Sequence, residues 1–356
     1  MPISIYFHVE HIYYLPQFLP VLKELKKRGC QCVCFFNLSI NQAIIDHASV
    51  EHDLQFETFD SEDDALLHYI NKKPNWVIFG NHFKPIHQLH HTTKTAMLYH
   101  GIGIKECYYD KDLNNMDIRF VEGEYRANEI NKRQPEAKIA TTGFAKLDPL
   151  FNANGIYHLP ENLDNNKKTI LYAPTFYPST IENIPASWPA DFSEFNLIIK
   201  PHEFSLSNKK YNEQRKRINE WAQFDNVYLA KSEEFSLLPF MQCADILISE
   251  ASSALFEFAA LNKPIIWCDF IKLRWNYRGI FSYRYKKRMD LNIMKYNHIA
   301  THAPSYKNLL STVHNELSNP GLRSAERKKI THQVLGNVDG KVALRVCDYL
   351  LAKASS

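Results

Sequence analysis

The sequence has no marked excess of either charge: 42 Lys and Arg against 39 Asp and Glu leave a net +3 over 356 residues. That balance excludes a polycationic chain, so no nucleic-acid partner is expected and any anionic partner must be met by a local patch. Cysteine is sparse and unpatterned. The seven residues contain no CxxC spacing, and the one cluster, Cys30, Cys32 and Cys34, alternates along a strand-like run. An odd count without a disulfide framework points to a reducing compartment. The opening "MPISIYFHVEHIYYL" lacks a basic stretch followed by an apolar core, because His8 and Glu10 interrupt it. Nor is there an apolar run of about 18 residues to cross a bilayer. The expected location is the cytoplasm, including the inner face of the cell membrane. No DxD-like carboxylate pair ends a strand, and the sixteen histidines contain no HExxH. No metal or cofactor is therefore called for: Glu62 to Asp64 read as an acidic helix start, and "HQLHH" at 87–91 as a polar helix face. Internal repeats and long low-complexity segments are also absent.

What the chain does have is enough apolar residue, 45%, to fill two cores, and a length beyond that of most single cores. "ISIYFHV", the helix-periodic "LPQFLPVLKELKKRG" and "CQCVCFFN" form a β-α-β opening. Strand-like runs recur at "NWVIFGN", "TAMLYHG", "MDIRFVEG" and "AKIATTG". The Asn-rich stretch 151–168 reads as a linker. The pattern then restarts with "TILYAP", "FNLIIKPH", "NVYLAK", "ADILIS" and "KPIIWC". Such alternation predicts an α/β protein with two Rossmann-like parallel-sheet domains facing a cleft. The boundaries are expected at 1–155, 156–338 and a terminal helix over 339–356 that can cross back to the first domain.

Ligands of open parallel sheets gather beyond the carboxyl ends of the strands, so polar residues at those junctions carry the functional signal. His100, Gly101 and Gly103 follow one strand, as either a close-approach loop with a titratable base or a tight turn. Thr175 follows another, in a loop that either binds phosphate or is only stiffened by its prolines. Lys200 and His202 flank Pro201 as a compact anion site. Ser252 and Ser253 sit where a strand meets a helix, with Glu257 about one turn further. Serine is a preferred N-cap, and the same free N–H groups bind phosphate, so both readings stand for these two.

The ordered set "YHGIGIKE", "TTGFAKLDPLF", "LYAPTF", "IIKPH", "DILISEASSALFEFAALNKPII" and "NVDGKVALRV", spanning roughly 95–347, resembles the CDP-glycerol glycerophosphotransferases, teichoic-acid polymerases and primases of GT-B fold. The resemblance implies transfer of glycerol phosphate from CDP-glycerol or another CDP-alcohol to a hydroxyl of a glycan, polymer or lipid-linked acceptor, with release of CMP. It implies His100 as base, His202 on the donor phosphates, Ser252 and Ser253 on the diphosphate, and Glu257 as the acidic residue that follows them. Gly101, Thr175 and Lys200 complete the expected binding set. The chain departs from the family in having Glu250 and Ala251 where an aspartate and an aromatic are common.

A nucleotide-sugar GT-B glycosyltransferase or epimerase, and a non-catalytic binder of nucleotide or anionic glycan, are the competing readings. Segment 272–288 mixes Lys272, Arg274, Arg278, Arg284, Lys286, Lys287 and Arg288 with Trp275, Tyr277, Tyr283 and Tyr285. It is expected to meet an anionic acceptor or the membrane surface.

Overall fold

The computed structural model describes residues 2–102, 104, 109, 113, 115–152, 157–277, 279 and 291–354. The chain divides into two compact units, 1–155 with 332–356, and 156–331. Among the described residues, the first unit holds strands β1 (Ser4–Val9), β2 (Gln31–Asn37), β3 (Phe56–Phe59), β4 (Trp76–Phe79), β5 (Lys94–Leu98), β6 (Ile118–Val121) and β7 (Ile139–Thr141). Every pairing is parallel, in the order β3-β2-β1-β4-β5-β6-β7. The second unit holds β8 (Thr169–Tyr172), β9 (Asn196–Ile199), β10 (Val227–Leu229), β11 (Ile246–Ser249), β12 (Ile265–Cys268) and β13 (Thr301–Ala303). They too are all parallel, in the order β10-β9-β8-β11-β12-β13.

The sequence dictates this arrangement through burial on both sheet faces. β4, β8, β9, β11 and β12 are buried along their whole length, and such strands read as unbroken apolar runs. Helices of opposite character cover them: Leu15–Lys27 buries Leu15, Phe18, Val21, Leu22 and Leu25 and turns Lys26 and Lys27 outward. Aromatic side chains thicken the second core, where the Trp188 and Trp221 rings meet edge to face at 4.9 Å and Tyr172 packs on both. In each sheet the order reverses beside the first strand, between β1 and β4 and between β8 and β11. Loops that leave neighbouring strands there diverge to opposite faces and open a crevice for a ligand.

The terminal helix Val342–Ala354 belongs with the first unit. Asp148 fixes its start by accepting from the N–H groups of Val342 and Ala343 at 3.1 and 2.8 Å, while Arg345 donates to the Thr142 carbonyl at 2.7 Å. Gly336 admits this return path: its φ is +68°, and a Cβ there would lie 2.4 Å from the Glu122 carbonyl oxygen. The return begins at His332, seven residues before the expected 339. The acidic run Glu62 to Asp64 starts a helix capped by Ser61, which accepts from the Asp64 N–H at 3.2 Å. The "HQLHH" stretch forms no helix face. It makes a single 3-10 turn, Ile86–Gln88, because Ile86 and Leu89 are drawn into the core and His90 bonds the Asn115 carbonyl at 2.7 Å.

Candidate active site

The polar junctions lie at the two reversals of strand order or one strand away from them. In the first unit, Gly80 follows β4, Tyr99, His100 and Gly101 follow β5, and Tyr14 lies after β1. His100 is half-buried, its ring stacked on Tyr14 at 4.5 Å and met edge-on by Tyr13 at 5.4 Å. Its Nδ1 stands 2.7 Å from the Gly80 carbonyl oxygen. A carbonyl oxygen only accepts, so Nδ1 carries a proton, and in the neutral ring the lone pair is at Nε2. Gly101 is buried, and its carbonyl accepts from Arg126 Nη2 at 2.8 Å. Gly103 lies outside the described residues.

In the second unit, Lys200 and His202 follow β9. Partial burial draws the Lys200 ammonium below the ordinary lysine value, with Glu234 and Glu203 opposing the shift. No hydrogen bond or ion pair of that ammonium is found among the described residues. His202 caps the short helix Glu203–Ser207, its Nδ1 accepting the Phe204 N–H at 3.2 Å. That bond requires a lone pair at Nδ1, so in the neutral ring the proton is on Nε2. As neutral rings the two histidines are opposite tautomers, with the lone pair at Nε2 in His100 and the proton at Nε2 in His202. Phe176 and Phe204 flank the His202 ring at 4.7 and 5.0 Å.

Ser252 caps the helix Ser253–Ala259, its hydroxyl accepting the Ala254 N–H at 3.0 Å. No hydrogen bond of the Ser253 hydroxyl is found among the described residues. Glu257 points into the protein and is 3% exposed.

Thr175 differs from the expectation of a loop with free donors. Its N–H donates to Glu250 Oε2 at 2.7 Å and its hydroxyl donates to the Pro178 carbonyl. Both donors are thus spent, one on the Glu250 carboxylate and one within the loop, leaving the hydroxyl with only its lone pairs for a ligand. The organiser is Glu250, at the end of β11 and 2% exposed, which also accepts from the N–H of Thr180 at 2.8 Å and from the Thr180 hydroxyl. Burial pushes its carboxyl up to about 7, against the pull of these donors. Sequence reasoning marked Glu250 only as a departure from the family; its position at a strand end beside the serines was the available signal. A cavity of about 180 Å³ lies next to this loop, lined among others by Thr175, Tyr177, Glu250, Ala251, Trp267 and Asp269. His302 holds Asp269 in place through Nδ1 at 2.9 Å and stacks on Trp267 at 5.5 Å.

Of the basic and aromatic segment, Arg274 lies 4.3 Å from the Tyr177 ring and 5.3 Å from Tyr211, and Trp275 is 77% exposed. Arg278, Tyr283, Arg284, Tyr285, Lys286, Lys287 and Arg288 lie outside the described residues. Among the described residues no helix is long and apolar enough to cross a membrane.

The family model for CDP-Glycerol:Poly(glycerophosphate) glycerophosphotransferase matches residues 62–352. The chain belongs to that family. Among curated relatives it is 29% identical over 210 residues to the teichoic acid glycerol-phosphate primase of Bacillus subtilis (strain 168), covering 53% of each chain. It is 25% identical over 226 residues to the teichoic acid ribitol-phosphate primase of Bacillus spizizenii, covering 60% of this chain and 53% of the relative. The chain thus spans about half the length of the curated relatives it matches. The solved wall teichoic acid polymerase TagF superposes with a TM-score of 0.65 at 15% identity, over 99% of this chain and 89% of that one. The UDP-GlcNAc 2-epimerase of Neisseria meningitidis, solved with UDP-GlcNAc, gives 0.62 at 14% identity, over 99% and 100%. These two likenesses establish the fold, which is GT-B.

Proposed function

We propose that the protein transfers glycerol phosphate, or a related alditol phosphate, from a CDP-alcohol to a hydroxyl of a cell-surface polymer or lipid-linked acceptor, releasing CMP. The observation that carries this reading is the opposite tautomers of the two histidines. In the proposed reaction the acceptor oxygen attacks the β-phosphorus and gives its proton to His100 Nε2, and the bond from that phosphorus to the CMP oxygen breaks. His202 Nε2–H donates to a phosphate oxygen, and Lys200 offsets the charge that gathers on the departing CMP. General-base help of this type is worth roughly 10² to 10⁴ in rate.

Ser252 and Ser253 are assigned to the diphosphate, with the Ser253 hydroxyl as a donor. The cavity beside Asp269 is assigned to the nucleoside end, where apolar walls suit the faces of a base and a carboxylate suits its amine edge; Glu257, 3% exposed, is assigned to hold the helix that carries the serines rather than to touch the donor. Gly101 lets the acceptor approach His100, and Thr175 is assigned to shape the donor loop rather than to donate. The acceptor is read as anionic and membrane-linked because Lys272, Arg274 and the exposed Trp275 lie together in sequence. That assignment implies a protein working at the inner face of the membrane.

The test is incubation of the purified chain with CDP-glycerol, CDP-ribitol and UDP-sugars, with analysis of the nucleotide released. CMP from a CDP-alcohol supports the reading. UDP from a sugar donor would favour a glycosyltransferase, and binding without release would favour a recognition module.

A further inference from the structure

The turn that carries His100 rests on two buried cations. Arg126 is 1% exposed and Arg119 is fully buried. Taking a guanidinium out of water is costly, so the ion pairs and hydrogen bonds it makes indicate what the fold gains. Arg126 places Nε 2.8 Å from Glu122 Oε2 and Nη2 2.8 Å from the Gly101 carbonyl oxygen, while its plane lies 3.9 Å from the centre of the Tyr99 ring. Arg119 donates through Nε to the Tyr99 hydroxyl at 2.6 Å and through Nη1 to Gln134 Oε1. Gln134 in turn donates to the Tyr109 carbonyl at 3.1 Å. Two arginines from adjacent stretches, strand β6 and the helix Glu124–Arg133, therefore hold the residues immediately before and after His100.

We propose that Arg126 and Arg119 clamp the Tyr99–His100–Gly101 turn, so that Arg126 is a positioning residue for the proton transfer at His100. This rests on the reading of His100 as the base. The imidazole is held at Nδ1 by the Gly80 carbonyl and on one face by Tyr14, and the same carbonyl takes the His100 backbone N–H at a long 3.4 Å, which leaves the residues on either side of His100 to be fixed by other groups. Arg126 does so through Gly101, and Arg119 through the Tyr99 side chain. The planar fork matters because one side chain serves the Glu122 carboxylate and the Gly101 carbonyl at once. A lysine ammonium on a flexible stem keeps the charge and loses that double fix. Misplacement of a reacting group by about 1 Å costs up to about 10² in rate.

The test compares the wild-type chain with Arg126→Lys and Tyr99→Phe; the latter removes only the hydroxyl that Arg119 holds. Steady-state kinetics with CDP-glycerol are expected to show kcat lowered about tenfold to a hundredfold in Arg126→Lys and by a smaller factor in Tyr99→Phe. KM for the donor should stay within about twofold in both, because the proposed donor seat lies in the other unit. The ¹⁵N spectrum of the imidazoles should show His100 as a single Nδ1–H tautomer in the wild type and as a mixture in the variants. Unchanged kcat and an unchanged His100 spectrum in folded Arg126→Lys would overturn the clamp; if that variant does not fold, Tyr99→Phe decides by the same two readouts. His100→Ala, run in parallel, separates the two claims. Turnover retained there refutes the base assignment, whereas an inactive His100→Ala beside fully active clamp variants refutes only the clamp. The spectrum tests the clamp even if none of the offered donors is turned over.

Discussion

His100 Nδ1 lies 2.7 Å from the Gly80 carbonyl oxygen, and a Cβ added to Gly80 would lie 2.6 Å from Cδ2 of Tyr14, the ring on which His100 stacks. One glycine thus sets both the tautomer and the seat of the imidazole. Gly80→Ala should displace Tyr14, loosen His100 and lower kcat by roughly tenfold or more, while CMP binding by calorimetry stays unchanged. Wild-type turnover in a folded Gly80→Ala protein would show that the seat is not needed.

Glu250 makes the donor loop sensitive to pH. Its folded pKa, about 7, is above the ordinary 4.5 because burial penalises the charge. Between these values the folded state holds a proton that the unfolded state has lost, so stability from this group is greatest below about 4.5 and falls as pH rises through about 7. Glu250→Gln removes the titration. The stability of wild type relative to Glu250→Gln, from urea midpoints, should therefore decline between about pH 4.5 and 7 by up to the order of 3 kcal/mol. The amide would also turn an N–H₂ group toward a backbone donor that the carboxylate accepts from, so the Thr175–Thr180 loop should become more open to proteolysis. A pH-independent difference would place the charge elsewhere.

The two serines separate capping from binding. Ser252→Ala removes an N-cap acceptor and should cost about 1 kcal/mol of stability. Ser253→Ala breaks no hydrogen bond found among the described residues and should cost much less. Both are expected to weaken CDP-glycerol binding several-fold. If only Ser252→Ala weakens it, and only in proportion to lost stability, the pair is a cap and nothing more.

The segment beginning at Lys272 should bring the protein down with anionic vesicles at low salt and release it as salt rises, since exposed charges are screened within about 10 Å at 0.1 M. Replacing Lys272 and Trp275 together should reduce sedimentation. Binding that persists at high salt would point to an apolar contact instead.

Eleven strands were legible because parallel strands buried on both faces must be continuous apolar runs, whereas β3 and β13 are only partly buried and carry no such run; the candidate residues were legible because the strand ends are where such runs stop. His100, Lys200, His202 and the two serines were found in that way. Their partners were not. Gly80 and His100 are twenty residues apart, Gly101 and Arg126 twenty-five, and Glu250 reaches back seventy residues to Thr180. Sheet order chooses those neighbours, and no local pattern records it. The same limit explains Thr175, whose donors looked available until the Glu250 carboxylate was placed beside them. The run of histidines at 87–91 misled for a different reason, because buried Ile86 and Leu89 decide the local backbone and the polar residues between them follow.

The measurement that tests the central claim most directly is CMP release from CDP-glycerol and CDP-ribitol by the wild type, His100→Ala and His202→Ala, each checked for folding by thermal denaturation. The expected result is CMP release by the wild type with at least one CDP-alcohol, and a loss of about 10² or more in both folded variants. Wild-type rates in either variant, or no CMP from any CDP-alcohol in the presence of a hydroxyl acceptor, would contradict the account.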